Sequence, residues 1–351
     1  IMASLIDTAD LTLNPQEAQS ASEAIFEKVY NKPDLNAAHQ VVTGVQMKTQ
    51  IPFFGLLGAV GKKSSACTPN TSTEVVNLTE KYWDPELIDF RLIHCQNEVS
   101  SLFKLWRKSK IANKTWEEVN NEQAAFVADR TIDAAIEAIL RITSFGDESA
   151  ALVANGGSIT AGKDITFLNM LNGLWQQVFA SATIKRYTIP ENAEATKAAQ
   201  DALATDRALT MLRYLYNNID ARAIKAGNLA FQMTRSLFNN WNDFLEDKSL
   251  GFSLQRAEEG WTKGSYRGIP IIVREDWDRN IRTWNDLGTT LLYPHRAILT
   301  PIENIPIGTS DEGSLTSFDA FYDKVTKKHY IDVAFYLDIK VLEEYMIAVA
   351  Y

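Results

Sequence analysis

The residues able to do chemistry are few and scattered. Histidines stand at 39, 94, 295 and 329, and no two have the spacing that puts ligands on one metal ion. Cys67 and Cys95 form no Cys-x-x-Cys pair. His94 and Cys95 are neighbours on an expected strand, so their side chains point to opposite faces and cannot act together. A buried thiol beside a polar surface ring is the plainer reading. There is no Gly-x-Ser-x-Gly elbow and no His-Glu-x-x-His. Acidic pairs do occur: Glu117-Glu118, Glu258-Glu259, Asp276 with Asp278, and Glu343-Glu344. Two carboxylates across a cleft can hydrolyse a glycosidic bond, but 44 acidic residues generate such pairs by chance. The stretch from Gly55 to Gly61 lacks the Gly-Lys-Ser/Thr of a phosphate-cradling loop. The sequence therefore names no catalytic residue, metal ligand or cofactor-binding residue, and no enzyme is expected.

Lysine and arginine form three short clusters. Lys62-Lys63 follow Gly58 and Gly61; Lys104, Arg107, Lys108 and Lys110 surround Trp106; Lys324, Lys327 and Lys328 lie near the end. Each could touch phosphate, but a solvated face is the plainer meaning. A net charge of −9 over 351 residues argues against a protein that wraps nucleic acid, which needs surplus cations. No apolar run reaches the roughly 18 residues of a membrane span. The N-terminus, with Asp7 and Asp10, lacks the basic start and apolar stretch of a signal peptide. Ile1 precedes Met2, which fits either a processed or an appended end. Two cysteines cannot staple a chain this long, so a reducing compartment is expected. The triplets at Asn70, Asn77 and Asn113 then match the glycosylation pattern by chance.

The elements that would position these residues are clearer. Asn14, Pro15 and Glu17 open a helix whose Ala18, Ala21, Ile25 and Val29 recur at helical spacing. It stops at Lys32-Pro33. Residues 1–40 read as an arm that packs elsewhere, with the first helix of an ordinary core as the plainer alternative. From Val41 to Phe53 the period changes to two, predicting a long strand. With extended runs near Thr73–Leu78 and Leu87–Cys95, this makes a two-limbed β excursion, long enough to serve a partner. Thr115 and Glu118 form a capping box. The stripe Ala125, Ala128, Ile132, Ala135, Ile136, Ile139 and Ile142 predicts a helix over 116–145, roughly 45 Å long, ended by Gly146. Residues 146–163 read as a seam. Asp164 is expected to cap a helix bearing Leu168, Leu171, Trp175, Val178 and Phe179, and a second long helix is expected from Asn192 to Tyr216. Leu229–Met233 reads as a strand and Thr234 as the cap of a helix bearing Leu237, Trp241, Phe244 and Leu245. Strands are expected at 269–273, 296–300 and 304–308, and Ile331, Val333, Phe335 and Leu337 share one face of a later strand. Helices and strands mix without βαβ alternation or repeats, so the class is α+β.

That order of elements resembles the major capsid protein of tailed bacteriophages, the Hong Kong 97-like fold. Asp247-Lys248-Ser-Leu-Gly251 after the Trp-bearing helix, Tyr266-Arg-Gly268-Ile-Pro270-Ile271, Pro294–Thr300 and Ile305-Pro-Ile-Gly308-Thr309 look like its axial strands and turns. Gln50–Phe53, Val60–Lys63 and Glu80–Pro85 are similar to capsid proteins of crAss-like phages. The resemblance covers nearly the whole chain. It implies an N-arm at 1–40, an extended E-loop at 41–95, and a peripheral domain with a spine helix at 96–150. An axial domain at 151–309 and a return to the peripheral domain at 310–351 complete it. It implies a structural function: hexamers and pentamers in an icosahedral virion shell, assembled in the bacterial cytoplasm. Partners would be other capsid, portal and decoration proteins and, through non-specific contacts, packaged double-stranded DNA, with no membrane and no cofactor. Gly58, Gly61, Lys62 and Lys63 at the loop tip, and Ile25, Val29 and Tyr30 on the arm, would be inter-subunit contacts. Some members crosslink a loop lysine to a neighbour's asparagine; Lys62 and Lys63 match by position only, and salt bridging is the plainer role. An encapsulin-like compartment, a minor phage structural protein and a carboxylate-dependent hydrolase are the rival readings.

Overall fold

The computed structural model describes residues 15–31, 33–51, 81–95, 116–247, 255–256, 262–323, 325–326 and 328–351. Helices α1 (Pro15–Tyr30) and α2 (Pro33–Ala38) precede strands β1 (Val41–Val42) and β2 (Glu86–Cys95). The long helix α3 (Trp116–Phe145) is followed by α4 (Leu174–Ala180), β3 (Lys185–Tyr187), α5 (Lys197–Asp201), α6 (Arg207–Asn218) and α7 (Ala221–Ala226). Then come β4 (Leu229–Met233), α8 (Arg235–Asp247), β5 (Gln255–Arg256), β6 (Thr262–Tyr266), β7 (Ile269–Val273) and α9 (Glu275–Trp284). Strands β8 (Ala297–Pro301), β9 (Ile307–Gly308), β10 (Ser317–Asp323), β11 (Lys328–Ile339) and β12 (Ala348–Ala350) complete the chain.

A seven-stranded mixed sheet, in the order β3-β12-β8-β4-β7-β6-β5, divides the interior. Every residue of β4 and β8 is buried, which requires cover on both faces. Side chains alternate across the sheet. Phe231, Met233, Ala297, Leu299, Ala348 and Ala350 enter one core with Leu212 and Leu215 of α6 and Leu237 and Trp241 of α8. Ile298 and Val349 enter the other, with Ile139 and Ile142 of α3, Trp175 of α4, and Trp277 and Ile281 of α9. That second core is continuous with the inner face of a five-stranded sheet. There β11 pairs antiparallel with β10 and, over ten residues, with β2. Ile331, Val333, Phe335 and Leu337 point inward, as the alternation predicts.

Several expected elements are shorter or differently placed. Of the strand expected from Val41 to Phe53, the described residues 41–51 form a strand at Val41–Val42 and an isolated bridge at Gln50. Gly44 at φ +70° and Lys48 at φ +61° turn the chain out of extended geometry. The helix expected over 192–216 is broken in two. Thr196 caps α5, and the Glu191 carboxylate accepts from Ala204 N at 3.2 Å and Arg207 Nε at 2.9 Å, which folds 202–206 aside. The buried Asn240 then caps α6 from α8, accepting from Ala208 N at 2.9 Å. Asp164 caps only the 3-10 turn Ile165–Phe167, and α4 starts afresh after Gly173. Segment 310–351 serves both sheets: β10 and β11 the five-stranded one, β12 the seven-stranded one.

The long helix α3 spans the expected 30 residues. Its end crosses the start of α4 backbone to backbone, with Gly173 N donating to Gly146 O at 2.9 Å. A Cβ on Gly173 would lie 2.7 Å from Gly146 N, 2.8 Å from Ile142 O and 2.9 Å from Thr143 O, all main-chain atoms. Gly173→Ala is therefore expected to destabilise the unassembled protein by about 1–3 kcal/mol, the usual cost of overpacking. Urea unfolding measures it; an unchanged midpoint would show that the crossing yields freely.

Candidate assembly site

The two limbs of the β excursion meet at its base. Lys48 N donates to Trp83 O at 2.7 Å, Trp83 N to Thr49 O at 3.0 Å, and Ile51 N to Lys81 O at 2.9 Å. Trp83 is buried with Val45, Ile51 and Leu342 in a small core of its own. Its ring lies on Gly308, where a Cβ would meet it at 2.5 Å, so the fit requires glycine. Lys81 Nζ donates to Val341 O at 2.5 Å. Asp84 N donates at 2.8 Å to Asp338, whose carboxylate also faces Lys340 Nζ at 3.3 Å. Burial pushes the Lys81 ammonium below its ordinary pKa and the Asp338 carboxyl above it. The loop is thus rooted on the end of β11, while Met47 and Tyr82 stay exposed at the base. Gly58, Gly61, Lys62 and Lys63 lie outside the described residues.

Helix α1 docks within its own chain. Ile25, Val29 and Tyr30 are 3%, 1% and 3% exposed and belong to the core shared with α3 and the five-stranded sheet. Leu315 N donates to Ser22 Oγ at 2.9 Å, fixing the helix to the turn before β10. The sequence reading places these three residues at a subunit boundary; within the single chain they are covered from inside. Their apolar stripe finds its partner in cis, because α3 and β10 leave an apolar surface that an intact core must close. What α1 turns outward is polar. A groove of about 920 Å³ lies between it and residues 312–314, lined in part by Glu23, Glu27 and Glu312.

Behind α2 lies a buried polar network that no local pattern reveals. Arg274 is fully buried and forms a two-pronged ion pair with Asp276, both contacts at 2.8 Å. Its Nη1 reaches Gln232 Oε1 at 2.6 Å and His39 Nε2 at 3.1 Å. Nη2 reaches Ser144 Oγ at 3.2 Å, which also accepts from Trp277 Nε1 at 3.1 Å. Gln232 Nε2 donates to Ala38 O at 2.8 Å. A second buried cation, Arg296, has no carboxylate partner among the described residues. It donates to Tyr293 O and Leu292 O at 2.8 Å and lies 5.0 Å from the Trp175 ring centre. Burial pushes it down to about 9; carbonyl dipoles and ring faces stabilise what charge it keeps.

The candidate chemistry resolves into structural contacts. Asp276 is taken by Arg274, while Asp278 accepts from Arg235 N at 2.8 Å, its carboxyl pushed up to about 6 by burial. Glu344 accepts from Ser181 Oγ at 2.7 Å and from Thr183 Oγ1, while Glu343 N donates to Asn304. The side chains of Glu117-Glu118 and Glu258-Glu259 lie outside the described ones. Sequence reading missed a serine–histidine contact: Ser236 Oγ lies 2.7 Å from His295 Nδ1, and His295 Nε2 lies 2.7 Å from Gln200 O. A carbonyl, not a carboxylate, orients this ring, and burial lowers its pKa. An imidazolium there is poorly stabilised, so the contact clamps α8 to β8 and does not activate a nucleophile. No group of three His, Cys, Asp or Glu residues able to hold a metal occurs among the described residues. No helix among them is long and apolar enough to cross a membrane.

No protein-family model matches the sequence, and no curated protein matches it. Solved structures do. A chain of the satellite phage P4 procapsid including size determination (Sid) protein is 12% identical with a TM-score of 0.52, covering 93% of this chain and 96% of its own. Gordonia phage Cozz gives 0.49 at 11% identity, over 90% of this chain and 84% of that one. The capsid of a native GTA particle gives 0.47 at 11% identity, over 100% and 95%. The fold is the Hong Kong 97-like capsid fold.

Trp83→Ala empties the small core at the loop base, at a cost of about 3–5 kcal/mol to the packing there. Proteolysis is expected to move to residues 41–51 and 81–95, while the midpoint of the main unfolding transition stays within a few degrees. A global loss of structure would show that the loop base is part of the main core.

Proposed function

We propose that this chain is the major capsid subunit of a tailed bacteriophage. It assembles through copies of itself into rings of six and five that close an icosahedral shell around double-stranded DNA. The observation that supports this best is the fold itself, matched over 93% of this chain and 96% of the procapsid chain. The rooted β excursion fits the role. Two limbs held to each other at their base lower the entropic cost of bringing the segment between them to a neighbour, because its ends are already fixed. Head-to-tail contacts of this kind close into rings. An acidic chain suits a container that must not grip its cargo, since phosphate contacts scale with available cations. Partners in the mature particle would include portal and decoration proteins. The subunit acts without a cofactor and without a catalytic step of its own.

Electron microscopy of the purified full chain tests this directly. Polyhedral particles or six-membered rings are the expected result. A monodisperse monomer across high salt and added scaffold protein would overturn the proposal. Replacing Gly61-Lys62-Lys63 with a short Gly-Ser turn is expected to keep the unfolding transition and reduce particle yield at least tenfold; normal shells would show that this segment is not the contacting tip.

A further inference from the structure

Residues 15–40 hold to the rest of the chain through two kinds of contact. One is the apolar stripe of α1. The other is polar: Ser22, Ala38 O and Gln40 O each hold a bond to the rest of the chain, and beside them lies the ring of His39, 1% exposed where α2 meets β1. The ring lies between two fixed groups. Its Nδ1 is 3.1 Å from Ile305 O, which can only accept, and its Nε2 is 3.1 Å from Arg274 Nη1, which can only donate. Only the neutral ring with its proton on Nδ1 satisfies both. A second proton would place N–H against N–H and a cation against the guanidinium. The other end of that guanidinium is already taken by Asp276. The charged groups facing the site among the described residues are therefore Arg274 from the β7–α9 junction and, behind it, Asp276. Gln232 of β4, Ser144 of α3 and the Ile305 carbonyl complete the walls without a charge that could neutralise an imidazolium.

We propose that His39 is an acid-operated latch: protonating its ring releases residues 15–40 from the two sheets. The segment is suited to separate movement. Ala38 O and His39 are its polar attachments to Gln232, Ile305 and Arg274, and Ser22 is its attachment to the turn at Leu315. Among the described residues, the core between the seven-stranded sheet and helices α6 and α8 contains none of this segment. The direction of the effect follows from linkage. Burial and the Arg274 charge hold the docked ring down to about 3, against an ordinary 6.5. The released ring takes up a proton that the docked ring refuses, so docking weakens as pH falls below 6.5. One group opposes this. Asp311 faces Tyr30 of α1, and burial pushes its carboxyl up, so its own protonation favours docking. In a shell, release would expose the stripe of Ile25, Val29 and Tyr30 to neighbouring subunits. The latch itself stands whether or not the shell proposal does.

Hydrogen exchange of the full chain, followed by mass spectrometry from pH 7.5 to 5 and corrected for the intrinsic rate, reads the latch. Exchange in residues 15–40 is expected to rise about 30-fold by pH 5, while β4 and β8 change less than threefold. His39→Gln can accept from Arg274 and donate to Ile305 without titrating, so it is expected to keep protection at pH 7.5 and lose the step. A wild-type profile without the step, or a step that persists in H39Q, overturns the proposal. Should H39Q not fold, nitrogen-15 spectra of the histidine-labelled wild type decide. A docked ring neutral at pH 5 and protonated on Nδ1 supports the latch, and an imidazolium in the docked chain overturns it.

Discussion

The buried pair of Arg274 and Asp276 is the constraint on which the architecture depends. Removing a guanidinium and a carboxylate from water costs several kcal/mol each, and the pair is tolerated only when every remaining donor finds an acceptor. Here they do: Gln232, His39 and Ser144 take the donors that Asp276 leaves over. Those three residues come from β4, the α2–β1 junction and the end of α3, so satisfying one cation fixes three distant segments against the β7–α9 turn. Gln232 is the member that matters most. It sits in the middle strand of a sheet buried on both faces, where an unsatisfied amide is costly. Its second bond, to Ala38 O, carries the N-terminal segment onto the sheet.

The second organising element is β11. Its inner residues belong to the main core, its edges pair with β10 and β2, and its end pairs with β9 and receives the base of the loop. Asp338 marks the change of role. It stands where alternation calls for an outward residue, yet it is 2% exposed, because the chain at Asp84 and Lys340 closes over it. The loop base is therefore held by polar bonds to a strand that cannot move without disturbing the core. Trp83 on Gly308 adds the apolar part.

What could be read from the sequence follows the range of the interactions involved. Helix α3 and strands β4, β7 and β11 were legible because burial imposes a local period, as in Ile132, Ala135, Ile139 and Ile142. The break at 202–206 was not, because its cause is Glu191 reaching forward to Ala204 and Arg207, and no glycine or proline marks the place. The Val41–Phe53 alternation misled for a related reason: Lys48 adopts left-handed geometry to form the turn that receives Trp83. His39, Arg274 and Arg296 gave no signal at all. Their importance lies in partners up to 266 positions away, and a lone histidine or arginine reads as surface until the fold encloses it. The order of elements carried more information than any single motif, since the fold it describes is matched at 12% identity.

Helix α1 alters how a shell of these subunits would be held together. With Ile25, Val29 and Tyr30 spent in cis, the arm offers neighbours a polar surface bearing Glu23, Glu27 and the nearby Glu312. Apolar cover between subunits must come from elsewhere, and Leu87 and Ile93, both half exposed on β2, are available. A net charge of −9 per chain makes like charges accumulate as copies close into a ring. At physiological salt, charges further apart than about 8 Å are largely screened, so the repulsion is short-ranged and confined to residues at the seams. A seam between two such surfaces closes only if acidic residues at it meet cations. Cations at such a seam would come from among the 35 lysines and arginines of this chain.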